Sequence, residues 1–179
     1  MRIDDIYERK CAEPSDINEH LPVLKRYASQ CNHVTEFGVR HVVSTWGLIA
    51  GRPKTVHSYD LSSPGDAVIA EVQDVANEVG VSFIFFQWNV LDAHIVTTDL
   101  LFIDTYHTYT QLKSELERHS ENVRKWIIMH DTETFGEKGE ANEENGLNYA
   151  IREFLEANPI WSEVRRLTNN NGLTVLRHG

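Results

Sequence analysis

No apolar run in this 179-residue sequence exceeds the length of a single strand, far short of the 18 or so residues that cross a bilayer. A lipid-embedded role is therefore not expected. Basic residues are also scarce, with 17 Lys and Arg against 27 Asp and Glu and a formal net charge of -10. Phosphate backbones need concentrated positive charge, so a large nucleic-acid footprint is not expected either. Cysteine is limited to Cys11 and Cys31, a pair with neither zinc-motif spacing nor the numbers for a disulfide framework. The opening residues carry no apolar segment of the secretory type. Together these shortages point to a reducing, cytoplasmic setting. Repeats, linkers and low-complexity tracts are missing too, and one domain over residues 1–179 is expected.

Strand and helix patterns alternate along most of the chain. Helical spacing of apolar residues predicts an N-terminal helix over 14–30, then helices over 42–50, Asp66–Glu78, Tyr109–His119 and 146–157. Strands are expected at 34–37, 55–61, 81–88, 100–104, 126–129, Trp161–Leu167 and 173–176. The nearly unbroken apolar run at 81–88 suits a strand covered on both faces. Asn169, Asn170, Asn171 and Gly172 form a tight reversal between the last two strands. Such alternation predicts an α/β fold: a Rossmann-like, mostly parallel sheet with helices on both faces and a C-terminal antiparallel edge hairpin. Residues 131–145 are acidic and aperiodic and read as a mobile loop. Its glutamates Glu133, Glu137, Glu140, Glu143 and Glu144 are most simply a solvated segment, although the position also suits a lid.

Open parallel sheets bind ligands beyond the carboxyl ends of their strands. The first strand ends in Glu36-Phe37-Gly38, followed by Val39-Arg40-His41-Val42-Val43-Ser44-Thr45. Gly38 allows a tight turn and close approach of a ligand, while Ser44 and Thr45 fall in the first turn of the next helix, whose free N–H groups face the crevice. Glu36 suits a polar or cationic part of a ligand. Asp60, at the end of the second strand, is placed to accept hydrogen bonds from ribose hydroxyls. A plain turn at Gly38 and a helix-capping or solvated carboxylate at Asp60 are the competing readings.

Two later strand ends carry more polar chemistry. Asp104 is followed by His107, and His130 directly precedes Asp131. Carboxylates with imidazole suit a divalent cation, with oxygen favouring Mg²⁺ and imidazole admitting Mn²⁺ or Fe²⁺. Asp104, Asp131 and His130 are the candidate ligands. His107, with Asp104 beside it, is the candidate catalytic group, a base titrating near neutrality. A helix cap at His107 and simple packing at His130 are the alternatives.

Taken together, the residues 36–45, Asp60, the run Ile103-Asp104-Thr105-Tyr106-His107-Thr108-Tyr109 and the run His130-Asp131-Thr132 resemble a class I S-adenosylmethionine-dependent methyltransferase. The resemblance runs from about Leu24 to the C-terminus and is nearest to the cephalosporin-hydroxylase-like and macrocin-type O-methyltransferases. It implies S-adenosyl-L-methionine as cofactor, with Gly38 along its methionine portion, Asp60 on its ribose, and Gln87, Trp88 and Asn89 beside adenine. It also implies that Asp104 and Asp131 hold Mg²⁺, or Mn²⁺ in its place, while a small hydroxylated or sugar-like acceptor is methylated. The family often carries glycine where this chain has Val42 and a small residue where Val43 stands, so a branched side chain at this first helical turn is expected to narrow the crevice.

Three functions follow as expectations. The first is a metal-assisted O-methyltransferase. The second is a catalytically weakened relative that binds cofactor or metal as a regulatory module. The third, a nicotinamide-dependent oxidoreductase, matches the single glycine of the fingerprint poorly. A homodimer through the sheet edge and the N-terminal helix is a further expectation.

Overall fold

The computed structural model describes residues 2–179, and the side chain of Asn142 is not among the described groups. A seven-stranded sheet runs in the order β3-β2-β1-β4-β5-β7-β6. Its strands are β1 (His33–Phe37), β2 (Thr55–Asp60), β3 (Ser82–Gln87), β4 (Thr98–Ile103), β5 (Val123–His130), β6 (Trp161–Leu167) and β7 (Leu173–His178). β1 to β5 pair in parallel, and β7 runs antiparallel between β5 and β6. The chain is therefore α/β and Rossmann-like, with an antiparallel C-terminal edge. Among the described residues no helix is long and apolar enough to cross a membrane.

Period-2 alternation along the strands divides the core in two. Val34, Leu100, Phe102 and Ile128 face one layer, built from α1 (Arg2–Ala12), α2 (Leu21–Ala28), α3 (Val43–Ala50) and α4 (Asp66–Glu78). Phe37, Leu101, Ile103, Ile127 and Met129 face the other, built from α5 (Tyr109–His119) and α6 (Leu147–Ala157). The bounds of α4 and α5 are those expected. α4 begins with an acidic Asp66, which complements the positive end of the helix dipole. α5 is capped by Thr108, whose side chain accepts from the Gln111 N–H at 3.2 Å.

Three expectations are corrected. A helix over 14–30 is replaced by a 3₁₀ turn, Asn18–His20, leading into the shorter α2. Pro22 explains this: it lacks an N–H and is tolerated only in a first turn, so the helix starts beside it. A helix not expected at all, α1, buries Ile3 and Ile6, spaced three apart, against α3. Finally, β3 is an edge strand with Ser82 and Ile84 exposed, and the strand buried on both faces is β4. Composition favours a strand at both places, but only pairing decides which is central.

Candidate active site

A cavity of about 880 Å³ opens at the carboxyl ends of β1, β2, β3 and β4. β1 stops there because Gly38 turns at φ +84°, and a Cβ on it would overlap the carbonyl oxygen of Asp104. Its N–H donates to the Tyr59 carbonyl at 2.9 Å, and the Asp104 N–H donates to the Phe37 carbonyl at 2.8 Å. The two strand ends are thus held edge to edge. Asp60 closes the loop from the other side: Oδ2 accepts from Val39 N at 2.8 Å and Arg40 N at 3.0 Å, and Oδ1 accepts from Ser62 N at 2.9 Å.

Of the expected ligand-binding residues, Gly38, Ser44, Asp60 and Asn89 line the cavity, together with Asp104 and His107. Glu36 and Thr45 lie behind it. Glu36 is fully buried and accepts from Ser44 Oγ at 2.6 Å, Thr45 Oγ1 at 2.9 Å and Ser58 Oγ at 2.5 Å. Burial pushes its carboxyl up to about 7 despite these three donors. Glu36 thereby ties β1, β2 and α3 together beneath the loop. Val42 occupies the left-handed region at φ 54°, a strained place for a branched residue. Its side chain belongs to the core, and Val43 is the valine on the cavity wall. Of the two branched residues expected to narrow the crevice, Val43 therefore stands on its wall and Val42 does not.

Trp88, expected beside adenine, does stand on the cavity wall, whereas Leu61, Asp16 and Ile17 had no distinguishing signal in the sequence. Trp88 and Leu61 line the cavity while remaining 57% and 70% exposed, an apolar rim of the kind that receives a flat ring. Asp16 and Ile17 come from the segment before α2, and Asp16 pairs with Arg40 across the mouth.

At the β4 and β5 ends, Asp104, His107, His130 and Asp131 converge. His107 Nε2 lies 2.8 Å from Asp131 Oδ2 and 3.4 Å from Asp104 Oδ1. His130 Nδ1 lies 3.4 Å from each of the same two oxygens. One donor atom each from Asp104, His107 and Asp131 falls within 4.8 Å of the others, a spacing open to a metal ion. Asp131 takes φ 59°, an uncommon backbone that concentrates at functional sites. Because Thr108 caps α5, His107 is free of that duty; its ring stacks on Phe135, with centroids 4.8 Å apart. On its far side Nδ1 meets Glu140 Oε2 at 3.0 Å, while the Glu140 N–H donates to the His107 carbonyl at 2.8 Å. The acidic loop is therefore docked on the β4–α5 turn, an arrangement that no motif within the loop announces.

Burial by itself would push both imidazoles down, but the carboxylates of Asp104 and Asp131 outweigh it and raise His107 and His130 to about 10. Despite their own burial, Asp104 and Asp131 are held below the usual carboxylate range by the two rings. Imidazoles raised in the fold contribute stability that is complete below their ordinary 6.5 and lost as pH rises through about 10. The melting temperature of chelator-treated protein is thus expected to fall across that window, and a bound divalent cation should flatten the fall. Scanning calorimetry at several pH values reads this directly. A melting temperature constant from neutral to alkaline pH would show that the rings are not cationic in the metal-free protein.

No protein-family model and no curated protein matches this sequence. Solved structures do match its fold. An O-methyltransferase from Bacillus cereus in complex with SAH superposes at a TM-score of 0.66 with 16% identity, over 99% of this chain and 90% of that one. An SAH-bound methyltransferase from Podospora anserina gives 0.61 and 15%, over 99% and 87%. Magnesium protoporphyrin IX methyltransferase from Synechocystis, also with bound SAH, gives 0.61 and 14%, over 97% and 92%. At these identities the likeness is one of fold: this chain shares the Rossmann-like architecture of these SAH-bound methyltransferase structures.

Proposed function

We propose that this protein is an S-adenosylmethionine-dependent O-methyltransferase acting on a small hydroxylated or sugar-like acceptor, with a divalent cation at Asp104 and Asp131. The observation that carries the reading is the division of one cavity between two kinds of chemistry. Its β2 and β3 side offers Asp60, Asn89 and the exposed Trp88, as a nucleoside requires. Its β4 side offers Asp104 and His107, backed by His130 and Asp131. β2 and β4 flank β1, which separates the two groups by two strand spacings, about 10 Å. A nucleoside bearing a sulfonium-linked chain would span that distance past Gly38.

The cofactor would supply an electrophilic methyl group whose carbon–sulfur bond breaks as a carbon–oxygen bond to the acceptor forms. The cation would supply Lewis acidity, lowering the acceptor hydroxyl's pKa. His130 supports such an ion, because its Nδ1 is buried, faces both carboxylates at 3.4 Å and has no well-formed hydrogen bond among the described residues. The chain's own tasks are then orientation and charge. The Gly38 loop and Asp60 would hold the cofactor, Asp104 and Asp131 would hold the cation that orients the acceptor oxygen near the methyl, and His107 would take the hydroxyl proton as S-adenosylhomocysteine leaves. Docking of the acidic loop through Glu140 would limit water at His107.

The nicotinamide reading lacks both its glycine fingerprint and a use for the carboxylate–imidazole cluster. The weakened-relative reading loses the part of its support that rested on Val42, whose side chain lies in the core. Calorimetric titration with S-adenosylmethionine, S-adenosylhomocysteine and NAD separates the readings, and binding of NAD alone would overturn the proposal. Within the same experiment, Asp60→Ala is expected to weaken S-adenosylmethionine binding by about 1–3 kcal/mol, through lost charge-assisted hydrogen bonds and a loosened Val39–Arg40 loop. Wild-type affinity in a folded Asp60→Ala protein would take that carboxylate out of the site.

A further inference from the structure

We propose that Asp16 and Arg40 together read the charged amino-acid end of the cofactor, and that Asn170 holds Asp16 in place to do so. This deepens the proposed binding of S-adenosylmethionine and rests on that reading for the ligand.

Arg40 is the one Arg or Lys among the described residues that line the cavity, whereas four carboxylates, Asp16, Asp60, Asp104 and Glu140, share its walls. A ligand that carries a carboxylate has no other permanently charged partner there, because a guanidinium stays protonated at every working pH. The backbone of Arg40 is fixed for this task. It takes φ 43°, an uncommon place for a long side chain and one that concentrates at functional sites. Its N–H donates to Asp60 Oδ2 at 3.0 Å. The carboxylate proposed for the ribose thus also sets the residue proposed for the other end of the same ligand.

Arg40 meets Asp16 across the mouth of the cavity. Their side chains are 67% and 37% exposed, and an ion pair so open to water adds little to stability. Stability therefore does not account for the left-handed backbone. Recognition does. The amino-acid end of the cofactor is a carboxylate beside an ammonium, and the protein offers a guanidinium beside a carboxylate. When the pair opens to admit the ligand, Arg40 takes the carboxylate in a two-pronged hydrogen bond and Asp16 takes the ammonium. One ion pair is exchanged for two.

Asp16 belongs to no helix or strand, so another part of the chain must fix it. The hairpin between β6 and β7 does this. Asn170 brackets the segment, its Nδ2 donating to the Ser15 carbonyl at 2.9 Å and its Oδ1 accepting from Glu19 N at 3.1 Å. Asn169 Nδ2 adds a bond to Glu19 Oε2 at 2.6 Å, and Ile17 is buried beside Asp16. Asn170 lies outside the cavity wall. It is a positioning residue that acts through Asp16.

The test is calorimetric titration of the full-length protein with S-adenosylhomocysteine and with methylthioadenosine, which keeps the nucleoside and the sulfur but lacks the amino-acid end. Arg40→Gln is expected to weaken S-adenosylhomocysteine by about 10–100-fold and Asp16→Asn by about 10-fold, as the loss of a charged hydrogen bond implies. Methylthioadenosine should be almost unaffected by either. Arg40→Lys should recover part of the loss, since the charge remains and the planar fork does not. Asn170→Gly keeps the positive φ and removes both bonds to the segment. It should weaken S-adenosylhomocysteine by about 3–10-fold and spare methylthioadenosine, a selectivity that a general loosening of the fold would not produce. Undiminished S-adenosylhomocysteine affinity in Arg40→Gln and Asp16→Asn, or equal losses for the two ligands, would overturn the inference. Wild-type affinity in Asn170→Gly would remove its positioning role. Wild-type protein that binds neither ligand would overturn the methyltransferase reading as well, whereas binding of both, unchanged in the variants, would remove this assignment alone.

Discussion

Gly38→Ala should abolish measurable S-adenosylmethionine binding and destabilise the fold by roughly 2–5 kcal/mol, the sum of a left-handed backbone penalty and an overpacked contact. The contact falls on the carbonyl of Asp104, which is backbone. Neither side can yield cheaply, because Gly38 N–H is bonded to the Tyr59 carbonyl and Asp104 N–H to the Phe37 carbonyl. Any relief must push β4 from β1, and that moves Asp104 and His107 together with the Gly38 loop. Gly65→Ala is the matched control. Gly65 also has positive φ, 103°, but a Cβ there meets nothing within 4 Å, so only the cost of its extended positive-φ backbone, about 1–3 kcal/mol, remains. Urea unfolding of both variants, with calorimetry of the cofactor, checks the pair. Equal losses at the two sites would mean that the close approach of β1 and β4 carries no weight.

Asp131→Asn and Asp104→Asn have the next largest expected effect, which falls on the metal rather than on the cofactor. Each removes a carboxylate that faces both imidazoles. Without the ion the change leaves two rings around a single carboxylate, and breaking such a buried pair costs about 3 kcal/mol. Mn²⁺ affinity is expected to drop by about 100-fold or more, since a ligand outweighs the 10–100-fold of an outer partner. Metal-stimulated methyl transfer to hydroxylated acceptors should vanish, while S-adenosylmethionine affinity changes by less than about 1 kcal/mol. Asparagine also tolerates the left-handed backbone at residue 131, so the loss there is one of charge and not of conformation. Undiminished transfer in chelator by both variants would defeat metal assistance and reduce the two aspartates to strand-end residues.

Local chemistry was legible wherever it is written in neighbouring residues. α4 and α5 were readable to their ends because apolar spacing is joined by a local signal in each, Gly80 just beyond α4 and the Thr108 cap before α5. The Asn-rich reversal was readable because Asn170, Asn171 and Gly172 all take positive φ, which those residues tolerate. Pro22 lies within the apolar spacing of 14–30, but its missing N–H confines it to a first turn, so the helix begins there. Glu140 differs in kind: five loop glutamates look alike until one of them meets His107.

By itself, then, the sequence determined the succession of elements from β1 onward, their mostly parallel arrangement and the strand-end positions of Gly38, Asp60, Asp104 and Asp131. These follow from periodicity and turn chemistry, which act over a few residues. Tertiary structure alone decided that β4 lies at the centre and β3 at the edge, and that Glu36 turns inward to three hydroxyls. It alone also brought Asn170 and Glu140 to opposite sides of one imidazole pair. Such contacts join residues 33 to 40 positions apart, and they depend on strand order and loop path, quantities that no local pattern encodes.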